Sequence, residues 1–340
     1  MRLALYGKTA LSILMTLTSL PQDRADARGT LRHCGPTDQA VRYALERWPH
    51  LGLPLHLLTD RWERTVGETV SLHSLRTALP SGSLVKIDNG IYAPTPELCL
   101  VQLARHCSDH ELILYGGLLC GSFAIDPDSA TGLRSRDALT DTASIADFLE
   151  RCPAVPGTKA LRRCLPHITE GAASPPEVFL RMVLVLPHRL GGFNLTGATI
   201  NRQVNLGKRA QNIAGRLFPV PDLCWPEHRL DVEYDADSVH LTSRQALLDA
   251  TKRLALEAEG FKVVTVTSLQ LGNSHHMTNI AREVGCRLGR TMRIRSTRFT
   301  ASQQALFNLD WSLQTLFPSE GRKSRETAHH AKDVRTSALP

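Results

Sequence analysis

The stretch Pro221 to His240, PDLCWPEHRLDVEYDADSVH, constrains the fold more than any other part of the chain. A short turn here folds two acidic strand ends onto each other. Counting outward from the midpoint between Glu227 and His228, Pro226 faces Arg229, Trp225 faces Leu230, and Asp222 lies opposite Glu233. A two-residue loop and a four-residue loop give the same pairing. Directly opposed side chains on an antiparallel pair have Cβ atoms roughly 5 Å apart, and like charges there are destabilising. A divalent cation between the two carboxylates explains the arrangement most simply. Asp222 and Glu233 are therefore candidate ligands for Mg²⁺ or Mn²⁺.

The second strand sharpens this reading. In Leu230-Asp231-Val232-Glu233-Tyr234-Asp235 the apolar residues fall on one face and three carboxylates on the other, because strand side chains alternate. The bland alternative is an ordinary strand with a core face and a solvated acidic face. Cys224 and Trp225 read as hairpin packing.

At 340 residues the chain is long enough for two domains, and 42% apolar content allows real cores. Its eight cysteines form no C-x-x-C pair and no regular spacing. That pattern argues against a zinc ribbon or a disulfide framework and suits reduced thiols in a cytoplasmic setting. No apolar run reaches the length of a membrane span. The stretch Ala10 to Leu20 leans apolar, but Thr and Ser interrupt it and charges crowd Ala25-Asp26-Ala27, so no secretory signal is expected.

The net charge of +7 is unevenly placed: eleven Lys/Arg against five Asp/Glu lie from Arg282 onward. Arg287, Arg290, Arg293, Arg295 and Arg298 follow one another with no acid among them. Such a patch suggests contact with nucleic-acid phosphates, with a solvated basic face as the alternative.

The periodicities predict a mixed α+β region over 1–170, with a weakly patterned 1–34 and a helix capped by Thr37. Short strands follow within 54–93, helices at 95–107 and 109–121, a polar loop over 125–142, and helices at 143–152 and 157–168. Past a boundary at Gly171-Ala172-Ala173, residues 171–318 read as a helix (174–186), a Gly-rich irregular segment, a strand (203–206) and the hairpin (222–235). A helix (242–259), a β-branched strand (261–267) and a helix (274–288) complete that region. This is an α/β unit with a small mixed sheet. Residues 319–340 are polar and basic and are expected to form a disordered tail.

Glu177, Asp222, Glu233 with Asp235, His240, Asp249 with Arg253, and the strand FKVVTVT occur in the order seen in one nuclease group. Over about 174–271 the chain resembles the PD-(D/E)XK nuclease superfamily, in its very-short-patch-repair-like branch. Upstream, GIYAPTPELCLVQLA and the helices after it are similar to the AbiEi-type antitoxin layout, in which a regulatory region precedes a nuclease-like domain. The resemblance implies a restriction-endonuclease-like mixed sheet flanked by helices. It also implies Mg²⁺- or Mn²⁺-dependent hydrolysis of DNA, in a defence or toxin–antitoxin-type system, with a homodimer or a partner gene product as further company.

The chain departs from that pattern at the lysine position, which holds Asp235, at the following glycine, which is Ala236, and by one extra residue before His240. Lys252 on the next helix is the candidate replacement. The catalytic set implied is thus Glu177, Asp222, Glu233, Asp235, His240 and Lys252, with His240 or Lys252 handling protons. The alternative is a non-catalytic DNA-binding regulator built on a nuclease-like domain.

Local readings compete at several of these positions. Ser174-Pro175-Pro176-Glu177 fits a capping box, in which Glu177 serves the helix start. Asp249 and Arg253 fit an i,i+4 ion pair. Asp237 reads as a turn residue, and His275-His276 as surface.

Overall fold

The computed structural model describes residues 2–60, 67–74, 77–215, 218–235, 243–294 and 296–311. These form a mixed α/β protein whose described sheets are all open. The first half opens with β1 (Leu3–Ala4), α1 (Gly7–Leu14), β2 (Arg24–Ala25), α2 (Ala27–Leu31) and α3 (Asp38–Arg47). Four strands follow: β3 (Leu55–Thr59), β4 (Val70–Ser74), β5 (Leu84–Asp88) and β6 (Ile91–Pro94). Next come α4 (Pro96–Leu103), α5 (Asp109–Leu119), β7 (Phe123–Ile125), β8 (Leu133–Ser135), α6 (Thr142–Arg151) and α7 (Thr158–Cys164).

One sheet runs β1-β6-β5-β2, and β3 pairs in parallel with β4 as a separate ribbon. The weakly patterned N-terminus is in fact core: Leu3, Ala4, Leu5 and Tyr6 are buried, and β1 pairs with β6. A two-residue strand is too short to show alternation, which is why the sequence pattern there is faint. The polar loop expected over 125–142 contains the β7–β8 hairpin, closed by Asp126 and Arg134 at 2.5 Å. Helix starts behave as their caps dictate. Thr37 accepts from the Ala40 amide, and Ser108 and Glu111 form a reciprocal capping box.

The second half contains α8 (Pro175–Val185), β9 (Thr199–Ile200), α9 (Lys208–Ala214), β10 (Leu223–Trp225), β11 (Leu230–Asp235) and α10 (Ser243–Ala258). It ends with β12 (Lys262–Thr267), α11 (Ser268–Leu271), α12 (Ser274–Arg287) and α13 (Phe299–Phe307). Its sheet order is β12-β11-β10-β9; β9, β10 and β11 are antiparallel neighbours, and β12 joins β11 in parallel. The strand expected at 203–206 lies instead at Thr199–Ile200. Asn201 turns the chain left-handed (φ 46°), and Pro219 and Pro221 opposite offer no N–H to extend a ladder.

A continuous buried cluster runs from Leu3 to Leu306 and includes residues of both halves. α5 and α8 approach closely at Gly117, where a Cβ atom would stand 2.5 Å from Val178 Cγ1. The chain crosses from one half to the other through Ala172, fully buried, whose carbonyl accepts from the Ser122 amide at 2.8 Å. Among the described residues no helix is long and apolar enough to cross a membrane. All eight cysteines are free thiols.

Candidate functional site

The hairpin register sets the site. Leu223 pairs with Val232, Cys224 with Asp231 and Trp225 with Leu230. Residues 226–229 form the loop, a 3₁₀ turn over Pro226–His228 followed by Arg229 in the left-handed region (φ 47°). Arg229 is held there by donating to the Glu259 carbonyl at 3.0 Å. Extending the same register by one step places Asp222 opposite Glu233, as the residue count predicts. Asp222 lies just before the strand, and its Oδ2 accepts from the Tyr234 amide at 2.8 Å.

The two faces of this sheet pack differently. Leu223, Trp225, Leu230 and Val232 join the large core, while Cys224 joins Leu256 and Phe261 in a small cluster with Val204 and Val263. The carboxylates share the second face, over which α10 brings Leu256 and Lys252. That covering helix overturns the expectation of a solvated acidic face: Asp231 is 0% exposed. Lys252 Nζ reaches Glu233 Oε2 at 2.5 Å and Asp222 Oδ1 at 3.5 Å. One ammonium from the helix thus bridges the acid pair.

Polar satisfaction is incomplete. Both Asp231 oxygens and Glu233 Oε1 are buried and accept no hydrogen bond among the described residues. Buried polar atoms normally have partners, and leaving them unpaired costs about 1–3 kcal/mol each. With all three carboxylates ionised, Lys252 neutralises one and two negative charges stay buried. The protonation energetics reflect this. Burial, then the Glu233 charge, push Asp222 up to about 8 against the pull of Lys252. Burial, then the neighbouring Glu233 carboxylate, push Asp231 up to about 10. For Lys252, burial works against the charge, but Asp222, Glu233 and Asp231 outweigh it and hold the ammonium above its ordinary value.

Asp231 is the site residue that motif reasoning passed over. The signal was present in the alternation, which puts Asp231 on the face of Glu233. What the strand pattern does not contain is the helix that closes that face.

Glu177 is committed to its helix start. Its Oε1 accepts from Ser174 Oγ at 2.8 Å, and its Oε2 from the Ala173 amide at 2.8 Å and Asn201 Nδ2 at 2.5 Å. Its charge still reaches Asp222 and helps raise that carboxyl. Asp235 ends β11 opposite Thr267, on the alternation face of Glu233. His240 lies outside the described residues, as do Ala236, Asp237 and the tail over 319–340. Arg253 pairs one turn onward with Glu257 at 3.6 Å, and it donates to Thr265 Oγ1 at 3.1 Å. His275 and His276 are exposed, their amides capped by Asn273.

The arginine series is divided. Arg287 pairs with Glu283 at 2.7 Å, an acid one turn earlier that the expectation of an acid-free patch left out. Arg290 donates to the Thr196 carbonyl at 3.0 Å and so anchors a loop. Arg293 and Arg298 are exposed, and Arg295 lies outside the described residues. Arg282 and Arg290 line an open depression of about 410 Å³ with Cys286, Gly289, Thr291 and Met292, which shares no residue with the acid pair.

All donors around Asp222 are oxygen apart from Lys252, a set that suits Mg²⁺ or Mn²⁺ better than a softer metal. The orphaned Glu233 oxygen beside Asp222 fits a cation there. Among the described residues no three His, Cys, Asp or Glu side chains converge closely enough to hold a metal ion by themselves. No protein-family model, curated protein or solved structure matches the chain.

Proposed function

We propose that this protein is a divalent-cation-dependent DNA endonuclease of the restriction-endonuclease-like fold, with its site at Asp222, Glu233 and Lys252. The observation that carries this reading is the Lys252 ammonium bridging the two acids from α10. It supplies, from the neighbouring helix, the lysine that the resembling nucleases carry where this chain has Asp235. The order α8, β9, β10, β11, α10, β12, with one short helix inserted, agrees with the same reading.

Asp222 and Glu233 would hold the cation, with water completing its shell, since Mg²⁺ is usually bound by one or two carboxylates. When bound, such an ion lowers the pKa of an attacking water and stabilises charge on phosphate. The chain's own residues do the rest. Lys252, held protonated, donates toward a phosphate oxygen or the attacking water and does not act as a base. Tyr234 fixes Asp222 through its amide. Glu177 holds the start of α8 beside Asp222. Exposed Arg293 and Arg298 grip backbone phosphates, which makes binding fall with salt.

A second reading draws on a specific observation. The 2.5 Å Lys252–Glu233 contact, with no three-ligand group among the described residues, also suits a self-neutralised site in a non-catalytic DNA-binding regulator. Plasmid nicking with Mg²⁺ or Mn²⁺ separates the two. The nuclease reading expects nicking that Asp222→Ala and Glu233→Ala each abolish. Equal nicking by both variants removes the assignment; DNA binding without cleavage by the wild type favours the regulator.

A further inference from the structure

A second concentration of titratable groups lies in the first half, on the β3–β4 ribbon. His56 Nδ1 and His73 Nε2 are 2.8 Å apart, a contact that requires one proton between two imidazoles. The His73 ring stacks on buried Tyr6, centroids 4.0 Å apart and planes within 5°, and the tilted His106 ring stands 6.0 Å from His73. Arg105 donates to the Tyr6 hydroxyl at 3.4 Å. His56 and His73 are half-buried, whereas Lys8, Arg105 and His106 are exposed. Ser71 Oγ stands 3.5 Å from the same His73 nitrogen.

Among the described residues the charge around this cluster is mostly positive. The carboxylate on the adjoining helix, Glu111, is already used: it pairs with Lys8 at 3.6 Å and caps α5 through Ser108. Tyr6 and Cys107 are both raised by burial, Cys107 to about 11, and stay neutral at neutral pH. The three histidines repel one another's protons. Burial, then His56, His106 and Arg105, push His73 down to about 4. Burial, then His106 and Lys8, lower His56, and burial with Arg105 lowers His106. Five nitrogen-bearing side chains from four elements or their ends thus gather around the His56–His73 contact, three of them exposed. None of this is used by the site at Asp222.

We propose that Lys8, His56, His73, Arg105 and His106 form a binding site for a phosphate-class oxyanion. Two positively charged groups at the rim attract it, and the histidines take up protons as it binds. Cationic clusters in which positive groups outnumber their counter-ions favour anions, and planar guanidinium and imidazolium groups donate to phosphate oxygens. The inference does not rest on the nuclease reading and stands or falls separately.

Sulfate is the direct probe, because it stays a dianion throughout the useful pH range, so any pH dependence belongs to the protein. Calorimetric titration of the full chain should show sulfate binding that tightens by up to ~10-fold for each proton and pH unit between pH 8 and 5.5. His73→Gln should remove most of that pH dependence, and the exposed pair Lys8→Gln with Arg105→Gln should abolish binding while leaving the melting temperature in place. Inorganic phosphate and a short DNA duplex then identify the source. Displacement of sulfate by the duplex assigns backbone phosphate, and displacement by phosphate alone assigns a small phosphorylated ligand. Absence of sulfate binding, binding independent of pH, or binding that survives the Lys8/Arg105 double variant overturns the proposal.

Discussion

The site at Asp222 and the histidine cluster at His73 accumulate charge of opposite sign and respond to pH in opposite directions. In the first, a helix seals three carboxylates and one lysine beneath it. In the second, imidazoles and exposed cations gather with Glu111 of the adjoining helix already engaged. Asp222 and Asp231 have folded pKa values above those of an unfolded chain. Their stability contribution is complete below about pH 4 and is lost as pH rises through about 8 to 10. His73 has a depressed folded value, so its contribution is complete above about pH 6.5 and is lost as pH falls through about 4. The first region closes its carboxylates off from water, whereas the charged groups of the second, Lys8 and Arg105, stand exposed.

The largest effect is expected at the acid site. Lys252→Met strips the ammonium from buried Asp231 and half-buried Asp222 and Glu233, and should destabilise the protein by roughly 3–5 kcal/mol at pH 8. Most of that should return by pH 5, where Asp222 and Asp231 hold their protons; urea denaturation at both values checks this. A pH-independent loss would mean that Lys252 serves packing alone.

Asp231→Asn should act in the opposite direction. It keeps the shape and removes an ionisable group from a buried position, so stability at pH 9 should rise by roughly 1–3 kcal/mol and vary less with pH. A destabilised variant at that pH would show that the Asp231 charge has a partner in solution. At the histidine cluster, His73→Gln should cost only about 1 kcal/mol at pH 7, the scale of one hydrogen bond, and should lessen the loss of stability below pH 6.5. Comparing thermal melts at pH 5 and 7 reads both effects. The smallest is on the surface: Arg293→Gln or Arg298→Gln should each reduce the salt slope of DNA binding by about 1 and leave folding unchanged. An unaltered slope in both removes them from the interface.

The two regions also differ in how much of them a sequence can disclose. The acid pair is legible because Asp222 and Glu233 sit on one hairpin, and alternation with a symmetric turn fixes which residue faces which. Leu230 and Val232 went to the core by the same rule. Asp231 shared the pattern, yet its burial depends on α10 crossing that face, a tertiary event with no local signature. Lys252 was legible only as a candidate for the same reason. The histidine cluster had no signal of that kind. His56 and His73 lie seventeen residues apart on parallel strands, and Tyr6 and His106 arrive from separate elements. Parallel pairing leaves no turn from which to count a register. The misplaced strand at 203–206 shows the complementary limit: its composition allowed a strand, but prolines opposite withheld the ladder's donors.

Titration calorimetry of Mn²⁺ into the full chain at pH 7.5, repeated in buffers of different ionisation heat, tests the cation assignment most directly. The account predicts one ion bound per chain with release of protons from Asp222 and Asp231, and loss of that binding in Glu233→Gln. Heat that is absent in the wild type, or identical in Glu233→Gln, would contradict it and leave Lys252 as the site's own counter-ion.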